Sequence, residues 1–379
     1  MTTSRKTPPD PKSPSRVSEV NPSPAEDGQQ STGLRGVLYW TGIVFVLGGF
    51  RRIFLGVPAK KEAVAAGTSR LHVGPDRTIG RQWLWFGVRC FLYYAGVVLV
   101  LAFFQRSLMY PSTQMERITP QNSHLPMGQV LDISIQTTDG LTLRGWHILP
   151  WGQTAVDPTG CDRILELGDP VVLFFHGNGG NRIHRDDEYQ LFSRFKCHIV
   201  TFDYRGYGEN PGAPSEAKLA ADALAAWKYL THERKVAASR IVLFGESLGG
   251  GVATRLAAEA CDAKEPPRGL ILRSTFSSMV DAAGYNYPWL PVRLVLIDRY
   301  LSIQQIPRVT CPILMLHGKQ DTIVPFVLGK RLFEAAPEQS LSGIPKSFVE
   351  LPHSNHNDYL VMDEPLVRNS VALFLKGLK

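Results

Sequence analysis

Ser247 stands in Gly245-Glu246-Ser247-Leu248-Gly249, directly after the apolar run Ile241-Val242-Leu243-Phe244. A serine between glycines at the end of an apolar run fits a tight strand-to-helix turn that presents its hydroxyl for nucleophilic attack. The alternative is a glycine-rich turn with an incidental serine. A nucleophilic serine needs a base, and the base needs a carboxylate to orient it. Both follow in chain order. Asp321 lies in His317-Gly318-Lys319-Gln320-Asp321-Thr322-Ile323-Val324-Pro325, after the apolar run Pro312-Ile313-Leu314-Met315-Leu316. Its plainer role is to cap a helix that begins near Pro325. Two histidines compete for the base in Leu351-Pro352-His353-Ser354-Asn355-His356-Asn357-Asp358. His356 is favoured by its His-Asn-Asp context and its place just before a helix expected over 358–378. His353 and a pair of idle loop histidines remain open.

A further loop could hold developing negative charge. Val171-Val172-Leu173-Phe174-Phe175 runs into His176-Gly177-Asn178-Gly179-Gly180-Asn181. Backbone N–H groups of Leu248 and Asn178 are the expected oxyanion donors, and glycines let the backbone approach the O⁻. A phosphate cradle is the rival, but the loop lacks the Lys-Ser/Thr ending of a P-loop. His176 is expected to brace the loop. This chemistry calls for no cofactor and no metal.

These groups must be brought to one sheet edge. The segments 130–136 and 141–149 predict an antiparallel strand pair joined by Thr138-Asp139-Gly140. Apolar strands are expected at 171–175, 198–203, 241–244, 270–273, 312–316 and 347–351. Helices are expected at 186–195 and 215–231, after the elbow, and after the strands at 313 and 348. This alternation predicts an α/β fold with a mostly parallel sheet covered by helices on both faces. An insertion at 274–310, rich in Phe276, Tyr285, Tyr287, Trp289 and Leu294, is expected as a small cap over Ser247. The stretch 152–168 reads as a loop.

The amino-terminal part has a different character. Residues 1–35 are rich in Pro, Ser and charge and are expected to be disordered. Gly36 to Phe50 is short for a membrane span, and a re-entrant or interfacial helix is its rival. Trp83 to Phe104 is long enough to cross, with a buried core helix as the alternative. The stretch 51–82 carries Arg51, Arg52, Lys60, Lys61, Arg70, Arg77 and Arg81 against Glu62 and Asp76. The positive-inside rule puts it in the cytoplasm and the region after 104 on the other side. The net charge of +7 gathers near these segments, which argues against nucleic acid as a partner. Five cysteines form no metal spacing. They read as buried thiols, with a Cys161–Cys197 bridge as an option outside the cytoplasm.

The motifs together resemble the α/β-hydrolase superfamily from about Met127 to Lys379. Within it the chain resembles the membrane-anchored serine hydrolases of the alpha/beta-hydrolase-domain-containing type, lysophospholipid lipases and depalmitoylases. The matching pieces are Phe104 to Pro111, His176 to Asn181, Asp203-Tyr204-Arg205-Gly206-Tyr207-Gly208, the Ser247 elbow, His317 to Pro325 and His356-Asn357-Asp358. The resemblance implies a catalytic region over 105–379 that cleaves acyl esters or thioesters, with a lipid-like substrate. A serine peptidase or a non-catalytic binding protein on the same fold are the alternatives. The oligomeric state is not legible.

Overall fold

A computed structural model describes residues 77–111, 115 and 117–378. The expectations for the tail 1–35, for Gly36 to Phe50 and for most of the basic stretch lie outside the described residues. The described residues open with helix α1, Arg77–Met109. It starts before, and runs beyond, the expected 83–104. Its Arg81–Met109 portion is long and apolar enough to cross a bilayer.

Eight strands follow: β1 Val130–Gln136, β2 Thr142–Ile148, β3 Val171–Phe175, β4 His198–Phe202, β5 Ile241–Glu246, β6 Gly269–Arg273, β7 Ile313–Gly318 and β8 Ser347–Leu351. They form one sheet in the order β1-β2-β4-β3-β5-β6-β7-β8. β1, β2 and β4 pair antiparallel, and every pair from β4 onward is parallel. Side chains alternate faces along a strand. Val171 and Leu173 of β3 and Leu243 of β5 join one apolar cluster, while Val172, Phe174, Val242 and Phe244 join another. Both faces are therefore buried, which is why these strands are apolar throughout rather than alternating.

Helices α4, Glu216–Lys228, and α5, Leu248–Asp262, contribute to the first cluster; α3, Asp186–Arg194, and α11, Glu364–Gly377, contribute to the second. The cap region holds α6, Met279–Asn286, α7, Val292–Val295, and α8, Ser302–Gln305. Helix α9, Phe326–Ala335, follows β7.

Two expectations need correction. The stretch 152–168 is not all loop, because it contains α2, Pro158–Leu165. Asp157 caps it by accepting a hydrogen bond from the Gly160 N–H at 2.7 Å, and Pro158 starts its first turn. The expected helix over 358–378 is two pieces, α10, Tyr359–Met362, and α11. Asp363 between them leaves helical geometry at φ −128°, and its carboxylate is held instead by His353 and Ser354. All five cysteines are free. Cys161 Sγ lies 3.1 Å from His147 Nδ1, and the Cys197 thiol donates to the Phe195 carbonyl, so the optional bridge between them is not formed.

Candidate active site

Ser247 follows the last residue of β5 and caps α5, with φ 50° and ψ −113°. A non-glycine residue in this region is strained, and it persists only where its surroundings enforce it. The enforcing contacts are visible. The Ser247 N–H donates to the Arg273 carbonyl at 2.9 Å, and Thr275 Oγ1 donates to the Ser247 carbonyl at 2.8 Å. A Cβ on Gly245 would meet the Gly249 carbonyl oxygen at 2.5 Å, and one on Gly249 would strike the Phe175 and His176 carbonyls. The two glycines of the motif are therefore required by close backbone approach, as the sequence suggested.

Asp321 and His356 come from the loops after β7 and β8, two neighbouring strands in the sheet. His356 Nδ1 lies 2.7 Å from Asp321 Oδ2. A carboxylate can only accept, so Nδ1 carries the proton and Nε2 is left as an acceptor. The other Asp321 oxygen accepts from the Ile323 and Val324 N–H groups at 2.9 and 2.8 Å. Burial alone would raise the Asp321 carboxyl, but hydrogen bonds from His317 and His356 and those N–H groups outweigh it and hold it below the usual range. His353 is not part of this pair. Its ring bonds Asp363 at 2.9 Å, and its side chain is 66% exposed.

The two expected oxyanion donors come from the start of α5 and from the loop after β3. Leu248 is the first residue of α5, where a backbone N–H has no intrahelical acceptor. The Asn178 side chain donates to the Met109 carbonyl at 2.6 Å and accepts from the Tyr207 hydroxyl at 2.5 Å. Its loop is thus tied to the end of α1. His176 is fully buried, with Nδ1 2.7 Å from the Gly177 carbonyl and its ring 4.3 Å from that of Tyr204. These contacts fit a bracing role.

Sequence reasoning missed a charged layer beneath these groups. Glu246 is buried directly before Ser247 and bonds both Arg185 Nε and Arg273 Nη2 at 2.7 Å. Arg273 also donates to the His356 carbonyl and lies 4.3 Å over the Tyr359 ring. The Tyr359 hydroxyl in turn donates to Glu188. Arg273 thus joins the elbow, through its own carbonyl, to the histidine loop, through its guanidinium. The signal available was an arginine ending the otherwise apolar Gly269-Leu270-Ile271-Leu272-Arg273. A separate cavity of about 200 Å³ is lined by Val252, Arg255, Arg299 and Tyr300, among others, but not by Ser247 or His356.

The comparisons with known proteins agree with this architecture. The alpha/beta hydrolase fold family matches residues 170–296. An uncharacterized protein of Mycobacterium tuberculosis is 37% identical over 282 residues, 74% of this chain and 90% of that protein. The lysophosphatidylserine lipase ABHD12 of Danio rerio is 31% identical over 272 residues, 66% of this chain and 71% of the lipase. Among solved structures, an esterase of Pyrococcus furiosus shares the fold with a TM-score of 0.51 at 20% identity, covering 70% of this chain and 96% of the esterase. The chain belongs to the α/β-hydrolase family.

Proposed function

We propose that this chain is a membrane-anchored serine hydrolase that cleaves acyl esters or thioesters through an acyl-enzyme. The observation that carries the reading is the 2.7 Å contact between His356 and Asp321, together with a serine held in a strained elbow. Ser247 Oγ attacks the acyl carbon while His356 Nε2 takes its proton. Asp321 holds the tautomer and stabilises the imidazolium. The backbone N–H groups of Leu248 and Asn178 receive the oxyanion. Collapse breaks the ester bond, and His356 returns the proton to the departing alcohol or thiol. Water then repeats the sequence and releases the fatty acid. A monoacyl phospholipid such as lysophosphatidylserine is the substrate that the lipase relatives suggest.

The proposed organisation is an amino-terminal tail over 1–35, a membrane region over 36–104 and a catalytic domain over 105–379. Helix α1 supplies the anchor. The cations from Arg51 to Arg81 stay in the cytoplasm, so Ser247 works on the opposite side. The test uses purified full-length protein in vesicles containing lysophosphatidylserine. Fatty acid release by the wild type and not by Ser247→Ala supports the reading. Release undiminished in the variant overturns it. Protease added to sealed, right-side-out cells should digest the catalytic domain; protection until lysis would reverse the topology.

A further inference from the structure

We infer that the cap segment 285–297 is itself a membrane-docking surface, seated in the hydrocarbon of the leaflet nearest the catalytic domain. The inference rests on the proposal that α1 spans the bilayer, and it adds a second contact with lipid that no span requires. Three observations lead to it: where the cap is fastened to α1, how its backbone is satisfied there, and what it leaves exposed.

The cap runs alongside α1 rather than beyond its end. The Tyr94 hydroxyl donates to the Trp289 carbonyl at 2.8 Å. Gln105 grips the cap twice, donating to the Val295 carbonyl at 3.2 Å and accepting from the Ile297 N–H at 2.8 Å. Arg106 then pairs with the buried Asp298 at 3.0 Å. A bilayer core about 30 Å thick takes about 20 helical residues at 1.5 Å each. Between Arg81 and Arg106, with Arg89 towards the end far from the catalytic domain, any such window contains Tyr94, at least about 10 Å inside the domain-side boundary. Trp289 is therefore carried to that depth, and the Gln105 and Arg106 contacts mark where the cap returns to the interface.

Irregular backbone is tolerated at such depth only when its polar groups are satisfied by protein. Tyr94 and Gln105 do this for the Trp289 and Val295 carbonyls and the Ile297 N–H. In water these bonds would be interchangeable with solvent. In hydrocarbon no solvent can take their place.

The outward face completes the match. Tyr285, Tyr287, Trp289, Leu294 and Ile297 are exposed, Leu294 at 87%. They extend the apolar surface of α1, where Leu92, Leu99 and Phe103 are also exposed. Arg293 is the one charge in 285–297, and its long stem allows the guanidinium to reach headgroups. The cap also touches the active site: Asn286 Nδ2 donates to the Ile323 carbonyl at 3.3 Å, beside Asp321. At the other side Asn178 holds the last residue of α1.

The experiment places an environment-sensitive fluorophore on full-length protein in phosphatidylcholine vesicles carrying doxyl-labelled acyl chains. Labels go on Leu294→Cys or Ile297→Cys in a Cys90→Ser background, the other cysteines being buried. Leu92→Cys on α1 and the fully exposed Val156→Cys serve as references. The expected result is quenching at 294 and 297 several-fold above that at 156 and close to that at 92. Quenching at 92 with 294 and 297 no better than 156 overturns the inference while leaving the anchor intact. No quenching at 92 overturns both. Labels at 294 and 297 shielded from water but not lipid-quenched, in a particle of doubled mass, would assign the face to a second copy and also overturn the inference. None of these outcomes bears on Ser247, whose labelling by a fluorophosphonate is read separately.

Discussion

Arg273→Met tests whether the charged layer under the elbow holds the site together. The guanidinium is 2% exposed, bonds Glu246 at 2.7 Å and donates to the His356 carbonyl. Removing one partner of a buried ion pair costs about 3–5 kcal/mol, because the other charge is left uncompensated. Here Glu246 keeps Arg185, which limits that loss. The His356 carbonyl, however, loses its donor, adding about 1–3 kcal/mol. The sum again falls near 3–5 kcal/mol, a large share of the roughly 5–15 kcal/mol that stabilises a typical domain. Urea unfolding followed by circular dichroism measures it. Arg273→Lys separates charge from geometry. A single ammonium keeps the charge but cannot reproduce the planar fork that serves Glu246 and His356 at once. It should fold, lose kcat and change KM little, since it loosens the histidine loop rather than the substrate site. An Arg273→Met protein less than about 1 kcal/mol below wild type, with kcat intact, would refute the reasoning.

Three further outcomes follow from the same geometry. His356→Ala should approach the activity loss of Ser247→Ala, whereas His353→Ala, which removes a side chain paired with Asp363, should keep most activity; a side-by-side ester assay ranks them. Burial first, then the positive charge of Arg240, holds His198 down to about 4, so the folded protein keeps it neutral while the unfolded chain protonates it below about 6.5. Stability should therefore fall as pH drops from about 6.5 towards 4, by about 2 kcal/mol between pH 7.5 and 5, and His198→Gln should remove that share of the loss in urea titrations. Gly249→Ala should destabilise by about 1–3 kcal/mol or more, because its methyl group meets the Phe175 and His176 carbonyls; an unchanged melting temperature would contradict the close approach.

Much of the fold was legible because buried parallel strands leave unbroken apolar runs. Val171–Phe175 matches its expected limits for that reason. Ser247, Asp321 and His356 were legible as candidates because each follows an expected strand in a short loop, and the structure brings the last two into contact. The Glu246–Arg185–Arg273 layer was not, because its members come from separate elements and long-range ion pairs leave no periodicity. The break at Asp363 was hidden for a related reason: its carboxylate is drawn to His353 and Ser354, ten and nine residues away, while the apolar pattern runs on across it. Helix α2 was overlooked because Asp157-Pro158 is a start signal followed by only two turns. The fastening of the cap to α1 depends on Tyr94 and Gln105, ordinary residues whose partners lie 195 and 190 positions away.

The most direct test of the account is the site of covalent modification. Full-length protein is treated with a fluorophosphonate, and the adduct is located by peptide mass spectrometry. The account expects a single phosphonylated residue, Ser247, and no adduct in Ser247→Ala. An adduct on another residue, or labelling that survives in the variant, would contradict it.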